Sequence, residues 1–254
     1  MAKTHVVQAQ TALAAAGCFN DKPIDGIFGK DSLVAVLSLV NSVDGAVDIL
    51  IKPDVVTPVS KKLVKQDIIN TAKSLVVEAA TLKAVIDVEA RSSGFDNEGR
   101  PAILFERHKM WKYLGEANYI TKRDQLNALF PDIYSELPGA YNVCSQYEKL
   151  AVAEVLHWDA AHKSCSFGLG QVMGFNFSSL GYPSLKAFVD AMYESEAKQF
   201  DAMARYIKVN NLLDELQRHD WAGFAKGYNG RGYAINEYDT KLAAAYVKAK
   251  RDGW

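Results

Sequence analysis

Three of the five carboxyls in one stretch, VIDVEARSSGFDNEGRPAILFE (Val85–Glu106), are candidates for chemistry, Glu89, Asp96 and Glu106, and Glu89 sits among apolar neighbours. If the segment ending at Glu89 is helical, Ile86, Val85 and Leu82 lie three, four and seven residues back on the same face, and all three are apolar. Glu89 then points toward the interior. Asp87 shares its face with Lys83 and Ala80 and belongs to the solvated side. A carboxyl held against apolar side chains is disfavoured as an anion, so it keeps its proton closer to neutral pH and suits general-acid chemistry. The structural alternative has Glu89 reaching solvent from the helix end, or pairing with Arg91 or Arg107.

Two further segments carry groups able to hold a polar ligand. CSFGLGQVMGFN, residues 165–176, has Gly168, Gly170 and Gly174, where a backbone can approach a ligand closely, and Gln171 and Asn176 offer amide donors and acceptors. Tight helix packing is the competing use of such glycines. WAGFAKGYNGRGYAINEYDTKLAAAY supplies Tyr228, Asn229, Tyr233 and Tyr238 around Gly230 and Gly232. Rings and amides at a glycine-rich bend suit stacking on sugars and bonding to their hydroxyls, and core tyrosines are the alternative.

The elements that must position these groups are mostly helical. SSGFDNEGRP, with two glycines and Pro101, ends the helix of Glu89 in a polar, hairpin-like excursion, and ILFE is too short to be a helix and delivers Glu106 at its end. Upstream, residues 6 to about 43 read as a helix, a turn at Asp25-Gly26 and a second helix burying Leu33, Val36, Leu37 and Val40. KPDVVTPVSKKLVK, with two prolines and no clean period, marks a linker and a boundary between residues 1–62 and 63–254. Beyond it, the chain is expected to be mostly helical from Gln66 into the helix of Glu89, HKMWKYL reads as helix, and PDIYSELPGAYN forms a loop. YEKLAVAEVLHWDAAHKS is amphipathic, with Leu150, Ala151, Val155 and Leu156 inward, and one long helix runs from Ser184 to about Val209.

Composition narrows the class of protein. The chain has 254 residues, 49% hydrophobic and 23% charged, which is ordinary globular material, and its net charge of −1 gives no general attraction to nucleic acid. Cys18, Cys144 and Cys165 are widely spaced with no CxxC and read as buried free thiols. The N-terminal stretch lacks the uninterrupted apolar core of a signal peptide, and no run reaches transmembrane length. His157 and His162 are not spaced to share a helical face, and HExxH, GxSxG, Walker and dinucleotide fingerprints are absent, so no metal or cofactor is expected.

VEARSSGFDNEGRPAILFERH resembles the segment VESxGxGFxxxGRPxILFExH of the phage endolysins of the N-acetylmuramidase type, with Ala90-Arg91-Ser92-Ser93 in place of the usual small-residue run. The resemblance puts the family's catalytic acid on Glu89. GLGQVMG is similar to the GLxQIMG segment bordering the substrate cleft of goose-type lysozymes and soluble lytic transglycosylases, which implies cleft roles for Gln171, Met173 and Asn176. The segment around Tyr228, Asn229 and Tyr233 resembles the AYNxG motif of the same families. VQxxL followed by IDGIFGKDSLVAV resembles the small peptidoglycan-binding module of cell-wall hydrolases, with Asp25 and Phe28 on characteristic positions.

Together the resemblances imply a mainly α protein: a three-helix peptidoglycan-binding domain, then a larger lysozyme-like domain with a short β-hairpin region. They imply cleavage of the β-1,4 bond between N-acetylmuramic acid and N-acetylglucosamine, with Glu89 as the acid. Glu106 is the first candidate for the second carboxylate and Asp96 the second. A lytic transglycosylase giving anhydro products and a non-catalytic wall-binding or phage structural protein remain open beside it. The expected partner is bacterial peptidoglycan, reached by a monomer that waits in the host cytoplasm until a holin-like protein admits it to the periplasm and wall.

Overall fold

The computed structural model describes residues 62–90 and 93–254, with backbone alone at 121–123, together with Gln10, Thr11 and Ala14, which are helical. The expected N-terminal module, including Asp25, Phe28 and Cys18, lies outside the described residues, as do Arg91 and Ser92. In chain order the elements are α1 (Lys65–Leu75), α2 (Ala79–Glu89), β1 (Ile103–Phe105), α3 (Arg107–Glu116), α4 (Ile120–Leu129), α5 (Gln146–Leu156) and α6 (Trp158–Lys163). Then come β2 (Cys165–Phe167), β3 (Val172–Met173), a 3-10 turn (Gly174–Asn176), α7 (Leu185–Glu194), α8 (Glu196–Val209), α9 (Leu213–Arg218) and α10 (Trp221–Asn229). A second 3-10 segment (Arg231–Asn236) leads into α11 (Tyr238–Arg251). The strands form a small sheet in the order β1-β2-β3, so the protein is mainly α with a minor sheet, as its patterning predicts.

The chain divides into two compact units, and Ile103–Ser166 lies in the first. Here ILF is the strand β1, and α5 starts on a reciprocal cap in which Ser145 Oγ accepts from Glu148 N (3.1 Å) and Glu148 Oε2 accepts from Ser145 N (2.9 Å). Leu150, Val155 and Leu156 are buried as expected, and so are Val152 and Ala153, so α5 is covered on more than one face. The amphipathic stretch through Lys163 is two helices. His157 leaves helical geometry (φ −161°, ψ 100°) and its Nδ1 accepts from Ala160 N at 3.2 Å to start α6. Cys144 and Cys165 are free thiols. Burial pushes Cys144 up to about 11 and Cys165 well above its ordinary value, so both remain protonated.

The second unit holds Phe167–Trp254 and the described residues between 62 and 102. The mostly helical stretch expected from Gln66 into Glu89 is two helices, parted at Val76, which takes a left-handed conformation (φ 56°) while Val77 N donates back to Ala72 O (3.0 Å). Leu82, Ala84, Val85 and Val88 of α2 are buried, each large aliphatic contributing about 1.5–3 kcal/mol, and α11 packs along this helix. The expected long helix from Ser184 is likewise two helices. Ser195 is fully extended (φ −168°, ψ 161°), and its hydroxyl accepts from Lys198 N (3.3 Å) as the cap of α8.

Candidate active site

Glu89 is the last residue of α2 and is half-buried, while Asp87 is exposed and paired with Lys83 four residues back. The helix thus separates its two acids as the periodicity predicts. Glu89 Oε1 accepts a hydrogen bond from Asn229 Nδ2 at 2.9 Å. Asn229 closes α10, and Gly230 beside it takes φ 78°, which turns the chain into the 3-10 segment. Two motifs 140 positions apart therefore meet at the carboxyl.

Tyr228, the neighbour of Asn229, donates its hydroxyl to Gly170 O at 3.3 Å. Burial, then the Glu89 carboxylate, push the Tyr228 hydroxyl well above its ordinary value, so it acts as a donor and not as an anion. Gly170, Gln171, Met173, Asn176 and Tyr228 line a cavity of about 160 Å³ with Tyr206. Four residues named from sequence, Gln171, Met173, Asn176 and Tyr228, thus share one concavity. Tyr206 joins them unforeseen, its ring edge-on to Tyr228 with centroids 5.5 Å apart. Its position in an ordinary amphipathic helix, α8, carries no signal of that role.

Backbone geometry sets the cavity wall. Gln171 is exposed and left-handed (φ 47°), a costly conformation for a residue with a Cβ. Its Nε2 donates to Gly168 O (2.8 Å) and Ala102 O (3.2 Å), which holds both the turn and the amide plane. Gly170 is required by packing, since a methyl there would stand 2.8 Å from Met203 Cβ. Tyr233 lies on the second 3-10 segment, half-buried, and is not among the residues lining this cavity. A larger cavity in the same unit, about 380 Å³, is lined by Lys62, Lys65, Lys83, Ile86, Glu196 and Trp254 among others. Lys62 and Lys83 there are already paired with Glu196 and Asp87.

The other two carboxyls differ in how they are held. Asp96 organises the turn after α2: its Oδ1 accepts from Glu98 N and Arg100 N (both 2.9 Å) and its Oδ2 from Arg100 Nε (2.9 Å), beneath the Phe95–Pro101 bridge. These bonds account for its place in the sequence as a loop-forming residue. Glu106, in the first unit, precedes α3 and its side chain is 17% exposed. Its Oε2 accepts from Tyr141 Oη at 3.0 Å and lies 3.2 Å from His108 Nδ1, close enough for an ion pair when the imidazole is protonated but outside hydrogen-bond geometry. The Tyr141 loop is pinned by Arg107, which donates to the carbonyls of Pro131 (2.9 Å), Leu137 (2.8 Å) and Pro138 (3.0 Å), and by the buried Lys149, whose ammonium reaches Ala140 O.

At the end of α2, then, a half-buried glutamate is held by an asparagine from a glycine-terminated helix, and Tyr228 beside that asparagine lines the cavity with Gly170. The chain belongs to the N-acetylmuramidase family, whose model matches residues 78–250. It is thus a peptidoglycan-cleaving glycoside hydrolase of the lysozyme type. Its fold is similar to the crystal structure of the Burkholderia AP3 phage endolysin, at 33% identity over 97% of this chain and 95% of that one, with a TM-score of 0.70. A search of curated proteins finds no match.

Proposed function

We propose that the chain is a phage endolysin that cleaves the β-1,4 bond between N-acetylmuramic acid and N-acetylglucosamine, with Glu89 as the general acid. The observation that carries this reading is the Glu89–Asn229 bond beside Tyr228, whose ring lines the Gly170–Asn176 cavity. Glu89 stands at the carboxyl end of α2, held there by the Asn229 amide. Protonation of the departing glycosidic oxygen by Glu89 lets an oxocarbenium-like sugar form without expelling an alkoxide. Gln171, Met173, Asn176 and Tyr228 are assigned to sugar contact, the amides to N-acetyl and hydroxyl groups and the ring to a pyranose face. The bonds to Arg100 and its loop give Asp96 a structural role, so Glu106 is kept, on its chemistry, as the carboxyl to test for the second role. Residues 1–62 would anchor the enzyme to the wall, and a holin-like protein would admit it there.

Mass spectrometry of purified peptidoglycan after digestion tests the reaction. Reducing N-acetylmuramic acid ends are expected, lost in Glu89→Gln; 1,6-anhydro ends would make the enzyme a lytic transglycosylase, and no released fragments would make it a binding protein.

A further inference from the structure

Glu196 and Gln199 of α8 are 5% and 1% exposed, one helical turn apart, and neither belongs to a segment from which chemistry was expected. Glu196 accepts from Leu63 N (2.8 Å), Gly94 N (3.1 Å), Ser93 Oγ (3.2 Å) and Lys62 Nζ (3.1 Å). Gln199 Oε1 accepts from Leu169 N (3.0 Å), while its Nε2 donates to Gly94 O (3.0 Å) and Met192 O (2.9 Å). Gly94, in the loop that follows the Glu89 helix, is therefore held at both its N–H and its carbonyl. Leu169, next to the first residue of the sugar cavity, hangs from the same Gln199 amide. A methyl at either Gly94 or Gly168 would overlap that amide, and Gly168 also needs its φ of +68°. Both glycines are thus shaped to a glutamine distant from them in sequence.

We propose that Glu196 and Gln199 are positioning residues for the muramidase reaction. They lock the loop after Glu89 to the Gly168–Gln171 turn, so that the acid and the cavity wall keep one register. The inference rests on the assignment of Glu89 and the Gly170–Asn176 cavity above. Its physical basis is the steep dependence of rate on placement: a shift of about 1 Å in a supporting element costs up to ~10²-fold. A buried polar hub that only stabilises the fold is the competing account.

Two substitutions in the full chain separate these, each assayed on purified peptidoglycan well below its melting temperature and scaled to the folded fraction from circular dichroism. Gln199→Leu fills the same space without hydrogen bonds and is expected to lower kcat/KM by ~10- to 100-fold. Gln199→Glu keeps the shape: ionised it donates nothing to the two carbonyls, whereas protonated it donates one bond and accepts one. Its activity relative to the unmodified enzyme should therefore rise as pH falls. A kcat/KM per folded molecule equal to that of the unmodified enzyme in Gln199→Leu, or a Gln199→Glu pH profile parallel to the unmodified one, overturns the proposal; if Gln199→Leu does not fold, the pH profile decides alone. Binding of soluble glycan fragments to Glu89→Gln, with and without Gln199→Leu, keeps the two readings apart. Weakened binding in the double variant supports the positioning role whichever residue is the acid, and an active Glu89→Gln defeats only the acid assignment.

Discussion

Removal of the Asn229 amide should reduce catalysis only through Glu89. The bond from Asn229 Nδ2 to Glu89 Oε1 is 2.9 Å long and half-buried. A hydrogen bond of this kind to a charged partner is worth about 1.5–3 kcal/mol, against about 0.5–1.5 kcal/mol for a neutral pair. Glu89 passes from acid to carboxylate as it gives up its proton, so only the difference, about 1–1.5 kcal/mol, acts on the barrier; at about 1.4 kcal/mol per decade, Asn229→Ala is expected to lower kcat/KM by about 5- to 13-fold. Fold stability should fall by only about 1 kcal/mol, because Asn229 closes its helix at Gly230 and supports no further turn. Glu89→Gln alone should cost about 10²–10⁴ in rate. In the double variant the two losses must not multiply, since an anchor for an acid has nothing to hold once the acid is gone. The four proteins would be compared by reducing-end release from purified peptidoglycan, with folding followed by circular dichroism. Multiplicative losses would refute the anchoring role and place Asn229 directly on the substrate. A fully active Glu89→Gln would refute the acid itself.

Asp87→Asn breaks only the exposed ion pair with Lys83, so activity should stay near that of the unmodified protein and stability should change by about 0.3–0.5 kcal/mol; a large loss of activity would mean that the wrong acid of α2 has been chosen. Burial raises the Glu196 carboxyl, but the bonds from Leu63, Lys62 and Gly94 outweigh it and hold the group below its ordinary value of 4.5. A folded-state value below the unfolded one stabilises the protein above pH 4.5, and that contribution is lost as pH falls through the folded value. The melting temperature should accordingly drop on acidification below pH 4.5, and Glu196→Gln should melt lower near neutral pH with a flatter acid limb; parallel curves would remove Glu196 from the acid response. Deletion of residues 1–60 should weaken co-sedimentation with peptidoglycan while leaving a folded, partly active enzyme. The cut spares Lys62 and Leu63, which bond to Glu196, and loss of folding would show that the N-terminal part is no separate anchor.

Local pattern was enough to place several of the elements around Glu89. The 3.6-residue period separated Glu89 from Asp87, the glycines and Pro101 placed the turn after α2, and the brevity of ILF made it a strand, because each depends on neighbours within one or two turns. The glycine-bearing segments around Gln171 and Asn229 were legible for the same reason, although nothing local said that Asn229 would meet Glu89. The helix breaks at Val76, His157 and Ser195 were not legible, since no glycine or proline marks them. Each is set by backbone geometry that a cap or a left-handed closure stabilises against propensities otherwise continuous with helix. Asp96 had the chemistry of a catalytic carboxyl, and only the folded loop showed both its oxygens bound. Tyr206, Glu196 and Gln199 stand in an unremarkable amphipathic helix, and their roles come from partners far away in the chain: Tyr228, Leu63, Gly94 and Leu169. What the sequence by itself determined was which carboxyls, amides and rings each local element carries; the hydrogen bonds that hold Glu89 and shape the cavity were decided by tertiary structure, because they are made across distances in sequence where no periodicity reaches.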